Sequence, residues 1–197
     1  MDDYYSLDIL LAENQKIPCI FNIGVPGMGY IEGTNQRDIQ PHTPLEIPFW
    51  LASVLIQSQE EQTQESQPES SSSNYLTIQI PKSFNNRIRN ALSASAKNVN
   101  LKNLALHSGG AWYQCGKVLL EMIEDNHLKQ VLHQTLTTRL TDIMDLASRP
   151  PLSEDHQVTN IEAEEFLLGL DAWEKEILVA GQETAKRMRA WEKSGRT

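Results

Sequence analysis

The chain has 197 residues, with 17 Lys plus Arg against 26 Asp plus Glu, 40% apolar residues, two cysteines and five histidines. That suffices for one domain or two small ones with a core, which excludes disorder throughout. Two cysteines cannot build a secreted disulfide framework, and no apolar run approaches the roughly 20 residues a bilayer requires, so a soluble protein of a reducing compartment is expected.

The net charge of −9 is unevenly placed. Residues 1–80 hold 11 acidic and 2 basic residues, whereas residues 81–197 hold 15 of each. All the excess lies in the first two-fifths, which a phosphate backbone would repel. Two different parts are expected.

In chain order, Ser6 is placed to cap a short helix over Leu7 to Ala12. Short strand-like runs follow at 19–23 and at Tyr30-Ile31-Glu32, parted by the turn-rich Gly24-Val25-Pro26-Gly27-Met28-Gly29. Leu45-Glu46-Ile47 alternates as a strand, and Pro48 can open a helical turn. The expected core of this part is Phe21, Tyr30, Leu45, Ile47, Phe49, Trp50 and Leu51. From Gln57 to Ser73 no residue is apolar, so nothing there offsets the entropy of ordering, and a flexible linker is expected.

Beyond it, Leu76, Ile78 and Ile80 alternate until Pro81 stops a strand, and the period then changes from 2 to 3.6. Phe84, Ile88 and Leu92 mark one helix, and Leu101, Leu104 and Ala105 a short one. Trp112, Cys115, Leu119, Met122 and Ile123 mark another. Leu128, Leu132, Leu136, Leu140, Ile143 and Ala147 form a further stripe, ended by Pro150-Pro151.

A last helix of about 33 residues and 50 Å is expected from a cap at Thr159 and Glu162 to a basic end at Lys186, Arg187, Arg189 and Lys193. Phe166, Leu170, Trp173, Ile177, Ala180, Thr184, Met188 and Trp191 follow one another in steps of four and three, a coiled-coil-like seam too long for its own chain to cover. The fold class expected is α+β. A small β-rich domain with short helices spans 1–56, a polar linker 57–74, and a strand entry leading to a helical bundle 75–197.

Candidate chemistry is sparse. Gly110 to Val118 departs from a phosphate loop: five residues separate Gly110 from Gly116 where four are needed, and Val118 stands where Ser or Thr would hold magnesium. His127 and His133 lie on different helix faces, and neither cysteine has a second ligand at zinc spacing. Glu121, Glu124 and Asp125 read as a solvated helix end. The basic group around Trp191, including Arg196, reads as cations complementing a helix C-terminus rather than a nucleic-acid patch. No catalytic, cofactor or metal site is expected, and the chain is read as not an enzyme.

The chain resembles the Psf-three subunit family of the GINS complex, and fungal members in particular. The resemblance rests on Tyr4-Tyr5-Ser6-Leu7-Asp8-Ile9-Leu10, on 25–32 (VPGMGYIE), and above all on 45–52 (LEIPFWLA). Ile80-Pro81, Trp112-Tyr113, 140–144 (LTDIM), 170–177 (LDAWEKEI) and Trp191-Glu192-Lys193 agree in order. The resemblance implies a nuclear, non-catalytic subunit of a heterotetramer with three sister GINS subunits. It further implies work in initiation and elongation of DNA replication beside the MCM hexamer and the Cdc-forty-five protein, with the leading-strand polymerase a further partner. DNA would be met only indirectly and no membrane at all. The subunit interface is expected to use Leu140, Ile143, Phe166, Leu170, Trp173, Ile177, Met188 and Trp191. The alternative is a homotypic helical coiled-coil adaptor unrelated to replication.

Overall fold

The computed structural model describes residues 6–32, 37–65, 75–105, 111–149 and 161–194. They belong to two compact units, Met1–Asn85 with Lys117–Glu124, and Asn86–Gly116 with Asp125–Thr197. The fold class is α+β.

In the first unit, helix α1 (Leu7–Glu13) precedes strand β1 (Lys16–Phe21), which lies between β2 (Thr43–Pro48) and β3 (Leu76–Ile78) in an antiparallel sheet. Cys19 sits opposite Leu45 on one side and Ile78 on the other. Alternation along β1 turns Ile17, Cys19 and Phe21 inward, where they meet the buried Leu45, Ile47, Phe49, Ala52 and Leu76. Pro18 in this central strand is tolerated because its carbonyl accepts from Gln79 N–H at 2.9 Å just where the β3 ladder ends. Its missing donor would face that same side. Pro44 and Pro48 lie in an edge strand.

Tyr30 and Ile31 belong to a 3-10 turn (Gly29–Glu32) rather than a strand. The preceding turn places Gly27 at φ 77°, and its N–H donates to Asp38 Oδ1 at 2.7 Å. As a consequence Tyr30 is 70% exposed and not in the core. Trp50 is also outside the core. Helix α2 (Phe49–Glu65) turns Phe49 and Ala52 inward, and Trp50, 100° away, points outward with Val54, while Leu51 is half-buried. The helix runs on through 57–65, the first half of the segment expected as linker, since Gln and Glu are good helix formers even without an apolar face. Residues 66–74 lie outside the described ones. Strand β3, expected as the entry to the helical part, instead completes the sheet of the first unit.

The second unit is helical: α3 (Asn86–Ala94), a 3-10 turn (Ala96–Asn98), α4 (Leu101–Leu104), the start of α5 (Trp112–Met122), α6 (Asn126–Ser148), α7 (Ile161–Leu168) and α8 (Ala172–Ser194). Asp125, expected on a solvated end, caps α6 by accepting from Leu128 N–H at 3.0 Å and pairs with Arg89 at 2.6 Å. The wholly buried row of α6 is Leu128, Val131, Thr135, Arg139, Ile143 and Ala147, with Leu132, Leu136 and Leu140 half-buried beside it. The expected helix of 33 residues is two helices, broken at Gly169–Asp171, and α8 alone is about 35 Å long. Thr159, Gly110, Pro150, Pro151 and Arg196 lie outside the described residues, as does the side chain of Glu162.

Candidate interaction surface

Helix α8 starts on a buried polar node. Asp171 is its N-cap: one carboxylate oxygen accepts from Trp173 N–H at 3.2 Å, the other from Trp112 N–H at 2.6 Å. Glu174 reaches back to accept from Asp171 N–H at 3.1 Å, which completes a capping box. Beneath it, Arg139 of α6 grips Glu174 with both arms, Nε to Oε1 at 2.7 Å and Nη2 to Oε2 at 3.0 Å. Both side chains are essentially inaccessible, 1% and 0% exposed.

The remaining donors of Arg139 reach the carbonyls of Ala96 at 2.9 Å, Val99 at 3.1 Å and Gly169 at 3.4 Å, and its guanidinium lies 4.6 Å from the Phe166 ring centroid. Tyr113 donates its hydroxyl to Glu174 Oε1 at 2.9 Å, and its ring stacks on Trp173 at 6.4 Å. Five guanidinium N–H groups and the lone pairs of Glu174 thus find partners, the condition under which a buried ion pair is tolerated. Burial, reinforced by the charge of Glu174, holds the Tyr113 hydroxyl well above the usual phenol range; burial likewise pushes Asp171 up to about 7, against the hydrogen bonds it accepts.

Beyond the node the faces of α8 separate. Glu174, Leu178 and Gly181 recur along the side against α6, where Leu178 joins Ile143, Ala147 and Leu170 in one apolar cluster. The adjacent side carries Ile177, 38% exposed, then Ala180, Thr184, Met188 at 58% and Trp191 at 68%. So the expected interface set divides. Ile143 and Leu170 are core residues of this chain, Phe166 is half-buried under Arg139, Leu140 is half-buried, and Trp173 is held on Tyr113. Ile177, Met188 and Trp191 face outward as one row. Phe166 and Leu170 part from the rest at Gly169–Asp171, where a seam counted through a break joins residues of different helices, and Trp173 parts from Ile177 because its ring stacks on Tyr113.

Arg139, Tyr113 and Asp171 are not among the residues expected to matter from sequence. The signal for the cap was present: Asp171 and Glu174 have the capping-box spacing. A cavity of about 790 Å³ on the same unit is bordered by the Lys97–Asp142 ion pair, Arg149, Glu165 and Leu168. Among the described residues no group of three or more His, Cys, Asp or Glu is placed to hold a metal ion, and no helix is long and apolar enough to cross a membrane.

The described residues thus form a small antiparallel sheet and a helical bundle whose buried Arg139, Asp171 and Glu174 serve capping and ion pairing. Residues 83–193 match the GINS complex protein helical bundle domain, and residues 5–57 match the PSF3 N-terminal domain. The chain is 33% identical over 191 residues to the DNA replication complex GINS protein PSF3 of Phaeosphaeria nodorum, covering 97% of this chain and 96% of that one. It is 31% identical to the protein of that name from Debaryomyces hansenii (96% and 97% covered) and 30% identical to that from Schizosaccharomyces pombe (98% of each). The chain belongs to the PSF3 family of DNA replication complex GINS proteins.

Proposed function

We propose that this chain is a non-catalytic subunit of a heterotetrameric GINS complex in which the outward row of α8 is a contact with sister subunits. The observation that supports this most is that row: Ile177, Met188 and Trp191 stand exposed in one line along α8, whose neighbouring side packs on α6 through Glu174 and Leu178. In this reading the assembled complex joins the MCM hexamer and the Cdc-forty-five protein in the nucleus. It serves initiation and elongation of replication through protein contacts, with the leading-strand polymerase a further partner and DNA approached indirectly.

Co-expression of the full chain with the three sister subunits, followed by size exclusion, tests the proposal. Ile177→Asp or Met188→Asp should lower recovery of the four-chain complex at least about tenfold while leaving the helical circular dichroism of the chain intact. These positions are preferable to Trp173, whose ring packs on Tyr113. Undiminished assembly of both variants, or a wild-type chain that only pairs with itself as a coiled-coil adaptor would, defeats the reading.

A further inference from the structure

We propose that the Arg139–Glu174 pair fixes the azimuth of α8, keeping its apolar row outward and available to a second chain; this rests on the reading of that row as a subunit contact. The motive is an inversion within the helix. Glu174, Leu178 and Gly181 are turned to α6, whereas the neighbouring side offers Trp173, Ile177 and Ala180 over the same turns. Burial of apolar area alone therefore favours a helix turned by about one residue, with Trp173, Ile177 and Ala180 against α6. The observed azimuth presents a carboxylate and a glycine beside Leu178 instead.

Glu174 explains why. Turning α8 by one residue would withdraw its carboxylate from Arg139 Nε and Nη2, from Tyr113 Oη and from Asp171 N–H in a single movement. Arg139 cannot follow, because its other donors are held by the carbonyls of Ala96, Val99 and Gly169. An uncompensated buried guanidinium would remain. Gly181 suits the same azimuth from the other end, since a Cβ there would stand 2.8 Å from Ala147 Cβ. The pair thus adds little net stability over apolar groups of its size and specifies orientation, which is what the apolar row leaves undetermined.

The test uses the full chain at high dilution with Ile177→Cys or Leu178→Cys, since Cys19 and Cys115 are buried. With the native pair, a maleimide should modify Cys at 177 at least about tenfold faster than at 178. In Arg139→Met/Glu174→Leu, and to a lesser degree in Glu174→Gln, the ratio should narrow to about threefold or invert, and recovery of the four-chain complex should fall by a similar factor. An unchanged ratio in either folded variant overturns the proposal. So does loss of helical signal in both, which would make the pair a support of the whole unit. Failure of the underlying reading shows separately: the native chain would then not assemble with the sister subunits at all, while the labelling ratio would still respond.

Discussion

Gly181 of α8 faces Ala147 of α6 so closely that a Cβ on the glycine would stand 2.8 Å from the alanine Cβ. No real pair of such carbons approaches so near, so any side chain at 181 forces the helices apart at the cluster of Ile143, Ala147, Leu170 and Leu178. Gly181→Val should destabilise the helical unit by about 1–3 kcal/mol despite the better helix propensity of valine over glycine. Urea unfolding followed by circular dichroism measures this. A variant as stable as the native chain would show that the crossing relaxes freely.

Removal of one partner from the Arg139–Glu174 pair is a different kind of change. Arg139→Ala leaves a carboxylate 0% exposed without its cation and should cost about 3–5 kcal/mol. Tyr113→Phe removes one of the hydrogen bonds to that carboxylate and should cost about 1–2 kcal/mol. The expected order is therefore Arg139→Ala well below Tyr113→Phe in denaturation midpoint. Equal losses would mean that the tyrosine and not the ion pair centres the node.

The elements that were legible in the sequence are those with a strong period and a breaker at the end. Pro48 before α2, Pro81 after β3, and the apolar stripe of α5 sit where periodicity and proline place them, whereas the buried row of α6 runs through Val131, Thr135 and Arg139, one position off the expected leucines. The break between α7 and α8 was not legible by spacing, because Phe166 and Leu170 keep the four-residue step across it. What breaks the helix is Asp171, which forms a local capping box with Glu174 and whose other oxygen bonds Trp112 N–H 59 positions away, a partner no local pattern contains. Arg139 was hidden for the same reason. It lies among leucines on α6, and its burial depends on a glutamate 35 positions on.

In the first unit Cys19 lies between Leu45 and Ile78 in the sheet. Burial pushes its thiol up to about 12, so almost no thiolate exists near pH 8. Native-state alkylation read by mass spectrometry should modify Cys19 at least about 100-fold more slowly than in the denatured chain, because reaction waits on opening of the sheet. Labelling at the denatured rate would place that strand among the readily opening parts of the fold.

Asp171 links the node to pH. Its carboxyl is raised to about 7 from an ordinary value near 3.8, burial being the main cause, so in the folded chain it holds a proton that the unfolded chain releases at lower pH. A group raised in this way contributes stability that is full below its unfolded value and is lost as pH rises through its folded one. The helical unit should therefore lose stability between about pH 4 and 7 through Asp171. Asp125 titrates outside that window: the Leu128 N–H holds its carboxyl below the ordinary value, so its contribution is lost only as pH falls further. Asp171→Asn keeps an acceptor for Trp112 N–H and removes the titration. Urea midpoints of the two chains at pH 5 and pH 8 isolate the effect, since the histidines common to both cancel. The native chain should lose more stability than the variant on going to pH 8, and parallel slopes would show that the carboxyl stays ionised in its capping site.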